Sequence, residues 1–294
     1  MDYMYKPPTE RNSLLISLTE GCPYNKCRFC GTYKNTEFRV LSLSSVESYV
    51  KEHLVENSRV YFVGADPLCL SISNIDQRIN LIKNYLSGVV EFTMYARVAS
   101  VKAKSNEDLA LLKSLGLNEL YLGIECGLDD VLSYFRKGIT TQDIKEQCAR
   151  LKEAGIKHRD MIMFGAAGSG RYEESAKALA ELENTTKPEM IITNNLSFIS
   201  SAPIVDDVQE QNFKPAKLSE ILLEAKTLIE NLDISETYIW SAEPLGFINL
   251  RGNLVRDRAK LLDKISYGLE HAGSYDKCKE QIISFPSIKE TLGE

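Results

Sequence analysis

Two periodicities alternate along this chain. Short runs rich in β-forming apolar residues occur at 14–18, 60–63, 91–95, 119–124, 157–164 and 190–198. Between them lie stretches whose apolar residues recur every three or four positions: 45–54, 75–86, 106–115, 129–135, 141–154 and 173–182. The first pattern puts alternate side chains on opposite faces of a strand, and the second lines them along one face of a helix. Their alternation predicts parallel βαβ units. Roughly six units follow one another at a period of about 30 to 45 residues, too few for the eight of a complete barrel. The expected fold is therefore α/β, a partial (β/α)6 TIM-like barrel. Past Pro203 the pattern changes to a loop, a helix near 218–232, a strand at 237–240 and a final helix near 257–271. The expected organisation is an N-terminal segment 1–12, the barrel over 13–200, and a C-terminal α/β extension over 201–294 packed on the barrel.

Composition narrows the setting. With 294 residues, 44% hydrophobic and 26% charged, the chain has material for one extended core. Its polar start, with Pro7 and Pro8, lacks an apolar signal core, and no apolar run is long enough to span a bilayer. A formal net charge of −6 gives the chain as a whole no electrostatic reason to bind a polyanion. The modestly basic stretches 102–104 and 251–260 read as solvated helix faces. Neither nucleic acid nor a membrane is an expected partner. Of seven cysteines, three are clustered and Cys69, Cys126, Cys148 and Cys278 are scattered. That is not the even, regular set of a secreted disulfide scaffold, and it suits a reducing, cytoplasmic location.

The cluster is Cys22, Cys27 and Cys30, in the run Gly-Cys-Pro-Tyr-Asn-Lys-Cys-Arg-Phe-Cys just after the first strand. Interspersed with Pro23, Asn25, Lys26 and Arg28, these thiols lie on a polar loop, where burial does not account for them and metal coordination does. Thiolates at this spacing converge on zinc or an iron-sulfur cluster. Structural zinc needs four ligands, and the next candidates are His53 and Cys69. A four-iron cluster held by three cysteines would leave one iron open to an external ligand. His53 and His158 stand isolated and read as helix-surface or strand residues.

Ligands of parallel βα folds gather at the carboxyl ends of the strands, where the cysteine loop lies. After the second strand comes Gly64-Ala65-Asp66-Pro67, whose small residues let the backbone approach a ligand. Asp66 there can accept from an ammonium or cap a helix. The third strand offers Tyr95 and Arg97 on one face. In the fourth, Tyr121, Gly123 and Glu125 share one face, and Leu122, Ile124 and Cys126 the other. An inward carboxylate needs a partner, so Glu125 is a candidate to grip ribose hydroxyls or to pair with Arg97 or another inner residue. Cys126 reads as a small buried hydrophobe. The fifth strand ends in Met163-Phe164-Gly165, where glycine permits a planar base or a simple turn. Arg136 and Lys137 could reach a carboxylate or be ordinary exposed cations. Tyr95, Arg97, Asp160, Asn194, Asn195 and Glu243 are taken as inner-face residues suited to a polar substrate.

In order along the chain these motifs resemble the radical S-adenosylmethionine (radical SAM) superfamily, in the branch similar to coproporphyrinogen dehydrogenase, the Elongator catalytic subunit and the methylthiotransferases. The resemblance covers about 14–199. It rests on the three cysteines with Phe29 before the last, on Gly64-Ala65-Asp66-Pro67, and on Leu122-Gly123-Ile124-Glu125-Cys126-Gly127. Lys137-Gly138-Ile139-Thr140 and Phe164-Gly165-Ala166-Ala167-Gly168 follow. It implies a [4Fe-4S] cluster on Cys22, Cys27 and Cys30 whose open iron is chelated by S-adenosylmethionine. Reductive cleavage would then give methionine and a 5′-deoxyadenosyl radical that abstracts hydrogen from substrate. It also implies Gly64, Ala65 and Asp66 at the methionyl amine, Lys137 or Arg136 at its carboxylate, and Glu125 at the ribose. Phe29, Met163 and Gly165 fall to the adenine, with Arg97 in the same cofactor-binding set. The chain departs from the commonest pattern in having four residues between its first two cysteines, and Ala65 where a second glycine is usual. Segment 243–254 is similar to a tail found in small members of the superfamily.

The resemblance further implies a small-molecule or peptide substrate and an electron donor such as flavodoxin or ferredoxin. Two other classes stay in view: a non-catalytic haem or cofactor carrier on the same fold, and a zinc-binding structural module.

Overall fold

A computed structural model describes residues 7–54 and 59–276, so Cys278 lies outside the described residues. The strands are β1 (Leu14–Ser17), β2 (Thr19–Glu20), β3 (Arg39–Val40), β4 (Arg59–Val63), β5 (Glu91–Ala96), β6 (Leu117–Glu125), β7 (Lys157–Phe164), β8 (Met190–Asn195), β9 (Tyr238–Ser241) and β10 (Arg251–Asn253). The helices are α1 (Leu43–Glu52), α2 (Ile72–Tyr85), α3 (Val98–Lys102), α4 (Asn106–Ser114), α5 (Asp129–Tyr134), α6 (Thr141–Glu153), α7 (Tyr172–Thr186), α8 (Ile204–Gln209), α9 (Leu218–Asn231) and α10 (Arg258–Asp276). One sheet runs in the order β1-β4-β5-β6-β7-β8-β9-β10, parallel as far as β9, with β10 antiparallel to it. The six expected strands are its first six, and the strand expected at 237–240 joins them as a seventh parallel strand. Segments placed in the C-terminal extension thus continue the sheet itself. The fold is the open, TIM-like partial barrel of the α/β class.

Local sequence starts the helices. Ser42 and Ser71 accept from the third backbone N–H of α1 and α2. Ser105 with Asp108, and Thr140 with Asp143, form capping boxes on α4 and α6.

The two-residue period sorts the core. Outward residues such as Ile16, Phe62, Met94, Leu122 and Ile162 pack under the helices. Inward Leu15, Tyr61, Val63, Tyr121 and Ile192 fill the barrel with Tyr95, Met161 and Met190 against them. The rings of Tyr61, Tyr95 and Tyr121 meet edge to face at 5.6–5.8 Å. Below them, charged residues plug the N-terminal end of the barrel. Glu10, fully buried, accepts from Arg59 at 2.6 and 2.9 Å and from the Tyr121 hydroxyl. Glu119 accepts from Arg59 at 2.7 Å and Arg159 at 2.6 Å. With that end closed, a ligand has the carboxyl ends of the strands to approach.

Candidate cluster and cofactor site

The cysteine loop hangs between β2 and β3 in a frame of its own hydrogen bonds. Gly21 turns the chain at φ +71, where a Cβ would sit 2.7 Å from the Glu37 carbonyl oxygen, so only glycine fits. Asn25, at φ +48, donates its side-chain amide to the Tyr33 carbonyl at 2.7 Å and its backbone N–H to Cys22 Sγ at 3.3 Å. Lys34 Nζ gathers the carbonyls of Asn25 at 2.9 Å and Cys27 at 3.1 Å. Cys22, Cys27 and Cys30 are left as free, half-buried thiols. Burial pushes the Cys27 thiol up, while Lys137 beside it pulls the other way.

Arg28, between two of the cysteines, ties the loop to the body of the fold. Its backbone N–H donates to the Phe135 carbonyl, and its own carbonyl accepts from Ile204, both at 3.0 Å. Its guanidinium grips Asp207 on α8, which also accepts from Tyr134 at 2.7 Å. Next to it, Phe29 packs on Phe135 with centroids 5.0 Å apart.

Beside the loop, Lys137 Nζ donates to Glu125 Oε1 at 2.5 Å and stands 5.6 Å from the Phe29 ring. Burial works against the Lys137 charge, but Glu125 and Cys27 more than offset it and hold the ammonium above its ordinary range. Glu125 thus pairs with Lys137 and not with Arg97. Its backbone is left-handed, φ +69, where β6 slips register against β7 between Gly123 and Glu125. Gly123 makes room for the pair, since a Cβ there would lie 2.9 Å from Glu125 Oε1 and 3.0 Å from Lys137 Nζ. Arg136, by contrast, is exposed, and its carbonyl accepts from the Tyr24 hydroxyl at 2.8 Å. The Tyr24 ring lies 3.7 Å from the Arg97 guanidinium, which also donates to the Lys137 carbonyl at 2.9 Å.

The turn after β4 divides its labour. Gly64 and Ala65 are half-exposed, but the Asp66 carboxylate is buried in the wall, accepting from Arg97 N–H at 3.2 Å and Ser100 Oγ at 2.6 Å. Burial pushes its carboxyl up against these bonds. As placed, this carboxylate braces the end of β5, while the Gly64-Ala65 backbone beside it stays accessible. Gly64, at φ +143, leaves just enough space for the neighbouring Thr19 hydroxyl, 2.8 Å from a Cβ at that position. On the far side, Met163 is buried at the end of β7 and Gly165 turns at φ +77, its N–H donating to Glu224 on α9 at 2.7 Å. Ser175 donates to the other Glu224 oxygen at 2.6 Å.

Two expectations change. Asp160 faces outward, fully buried beside His158, because the inward positions of β7 are Arg159, Met161 and Met163. Asn195 likewise points away from the barrel interior and binds back to the C-terminal segment, its N–H to Glu243 at 2.5 Å and its amide to the Pro244 carbonyl at 3.0 Å. Cys126 is buried under the helices as expected, its thiol pushed up by burial to about 12.

Residues 16–182 match the Radical SAM superfamily, more than half of the chain, from within β1 into α7. The chain belongs to this superfamily. The heme chaperone HemW of Bacillus subtilis is 22% identical over 148 residues, which make up 50% of this chain and 39% of that protein. Among solved structures, the radical S-adenosylmethionine methyltransferase TsrM of Kitasatospora setae is 20% identical with a TM-score of 0.55, over 68% of this chain and 39% of that one. Methylornithine synthase, PylB, is 16% identical with a TM-score of 0.54, over 87% of this chain and 81% of that one. The chain therefore spans about two fifths of HemW and of TsrM, and the structural likenesses describe the fold.

Radical SAM proteins bind a [4Fe-4S] cluster and S-adenosylmethionine, and the residues here fit both. The donor set is all sulfur, three thiols on one braced loop, as a cluster with an open iron requires. Beside it, Thr19 Oγ1 and Arg97 Nε are buried without hydrogen-bond partners. Such atoms at a mouth lined by Phe29, Lys137 and half-exposed glycine backbone suit a zwitterion carrying an aromatic base. The sequence motifs gave no sign of Thr19, Tyr24, Ser100 or Glu224. Of these, only Thr19 had a usable cue, a hydroxyl just past an apolar strand at its carboxyl end.

Proposed function

We propose that this radical SAM protein is an enzyme that abstracts hydrogen from a small-molecule or peptide substrate at the carboxyl mouth of its barrel. The observation that carries the reading is the convergence of Cys27, Phe29, Lys137 and Glu125, drawn from three separate segments, on one side of that mouth. When bound and reduced, the cluster supplies reductive cleavage of S-adenosylmethionine, and so a carbon radical able to take hydrogen. Cys22, Cys27 and Cys30 hold the cluster. Lys137, fixed by Glu125, orients the methionyl carboxylate, with Arg136 at the rim as the other cation. Gly64, Ala65 and Asp66 lie on the side of the amine, Arg97 completes the cofactor-binding set, Glu125 answers to the ribose, and Phe29, Met163 and Gly165 flank the adenine. The closed N-terminal plug and the tyrosine-filled interior keep water from that side. A flavodoxin- or ferredoxin-class donor would deliver the electron.

Anaerobic incubation of the reconstituted protein with S-adenosylmethionine and dithionite tests this reading. The expected result is 5′-deoxyadenosine well above a Cys27→Ala control, and equal amounts would overturn it. The HemW likeness favours a second reading, haem binding without radical chemistry. Saturable haem binding by a protein that forms no 5′-deoxyadenosine would establish that one instead.

A further inference from the structure

At the opposite end of β7, on the helix side of the sheet, four residues from three successive elements meet in the dry interior. Cys148 comes from α6, His158 and Asp160 from β7, and Glu183 from α7. Their exposures are 2%, 5%, 0% and 0%. Cys148 Sγ, His158 Nδ1 and an Asp160 oxygen all lie within 4.8 Å of one another, with Nδ1 3.9 Å from Sγ and 2.7 Å from Oδ1. Glu183 packs against Asp160.

The polar bookkeeping of this cluster does not close. Neither Glu183 oxygen, nor Asp160 Oδ2, nor the Thr186 hydroxyl completes a well-formed hydrogen bond, although Glu183 lies against both Asp160 and Thr186. Among the described residues no lysine or arginine pairs with either carboxylate, and the one ion-pair partner of Asp160 is His158. Two carboxyl groups placed together away from water are costly unless a proton or a metal ion stands between them. The histidine points the same way. Its Nε2 is 3.3 Å from the Thr186 carbonyl, which can only accept, and this bond fixes the ring so that Nδ1 faces Asp160 and Cys148; the proton Nδ1 donates to Asp160 at 2.7 Å is the one a metal ion would displace. A ligating histidine is held by this very kind of bond on its other nitrogen.

We propose that Cys148 Sγ, His158 Nδ1 and Asp160 hold a structural zinc ion, with Glu183, which lies beside Asp160, turning in as the fourth ligand and so pinning α6 and α7 to β7. Bonds of about 2.0–2.3 Å around a tetrahedral ion put neighbouring ligand atoms about 3.3–3.8 Å apart, between the two separations found here. One thiolate, one imidazole and two carboxylates suit zinc among divalent ions, and the absence of an exposed face suits a structural site over a catalytic one. The position agrees, because the N-terminal end of a βα barrel serves stability while chemistry occupies the other end. The site is separate from the cysteine loop and stands whether or not the radical chemistry does.

The test uses the full chain, reconstituted anaerobically with iron and sulfide, equilibrated with zinc chloride and desalted. Metal analysis should find one zinc beside the irons. Cys148→Ser and Glu183→Gln should each keep the irons and lose most of the zinc, at least tenfold. The Cys22→Ala, Cys27→Ala, Cys30→Ala triple variant should do the reverse. Zinc at background in the wild type, or zinc lost with the loop cysteines, overturns the proposal. Should a variant fail to fold, the wild type still decides: EDTA should lower its melting temperature by several degrees and added zinc restore it, and an unmoved melting curve overturns the site.

Discussion

Lys137 and Glu125 hold each other at 2.5 Å with 7% and 11% of their side chains exposed, so each is the other's main source of charge compensation. Lys137→Ala leaves a carboxylate in the wall without its cation. It should cost about 3–5 kcal/mol in thermal or denaturant unfolding, the range for breaking one side of a buried pair. It should also weaken S-adenosylmethionine binding by calorimetry. A variant with wild-type affinity would remove Lys137 from the site. Glu224 gives a pH signature. Burial pushes its carboxyl up to about 7 from an ordinary 4.5, against the hydrogen bonds from Ser175 and Gly165. The folded state thus keeps a proton that the unfolded state has released, and stability should fall as pH rises from about 4.5 to about 7, by about 3 kcal/mol in all, then level off. Glu224→Gln should flatten that slope in melting curves taken between pH 5 and 8, and an unchanged slope would contradict the assignment. Much of the site could be read from residues alone: three thiols on a polar loop, and Glu125 inward by alternation. The Lys137 partnership could not, because it depends on a left-handed Glu125 and a slipped register that a regular two-residue period does not describe.

At the scale of elements, the cysteine loop depends on a helix that sequence periodicity did not reveal. α8 is six residues long, too short for a convincing apolar stripe, yet its Asp207 anchors Arg28 and Tyr134 together. Asp207→Ala should leave the barrel folded but loosen the loop. We expect reconstituted protein to lose iron to a chelator several-fold faster than wild type, with the apo chain still folded but less stable by about 1.5–3 kcal/mol, the contribution of a hydrogen bond to a charged group. Iron release at the wild-type rate would mean the loop is held without it. The long elements were legible because each carries its own period and its own caps. β2, β3, β10 and α3 were not, since stretches of two to five residues take their structure from what they pair with. Asp160 shows the opposite case. The period of β7 does point it outward, and reading it as an inner residue set that rule aside.

For the whole molecule, the sheet continues past the six expected units through β9 and β10, and α9 reaches back to Gly165 through Glu224. The final third of the described chain therefore shapes the mouth as well as flanking it. This was hidden because a strand's neighbours are set by tertiary pairing, and 237–240 reads the same in a separate layer as in the main sheet. What unites the scales is a loop with three sulfur ligands facing a mouth fitted for one more ligand. Electron paramagnetic resonance of the reconstituted, dithionite-reduced protein tests that most directly. A spin-one-half four-iron signal that depends on Cys22, Cys27 and Cys30, and that changes its g values when S-adenosylmethionine is added, is the expected result. A signal indifferent to S-adenosylmethionine would contradict the account.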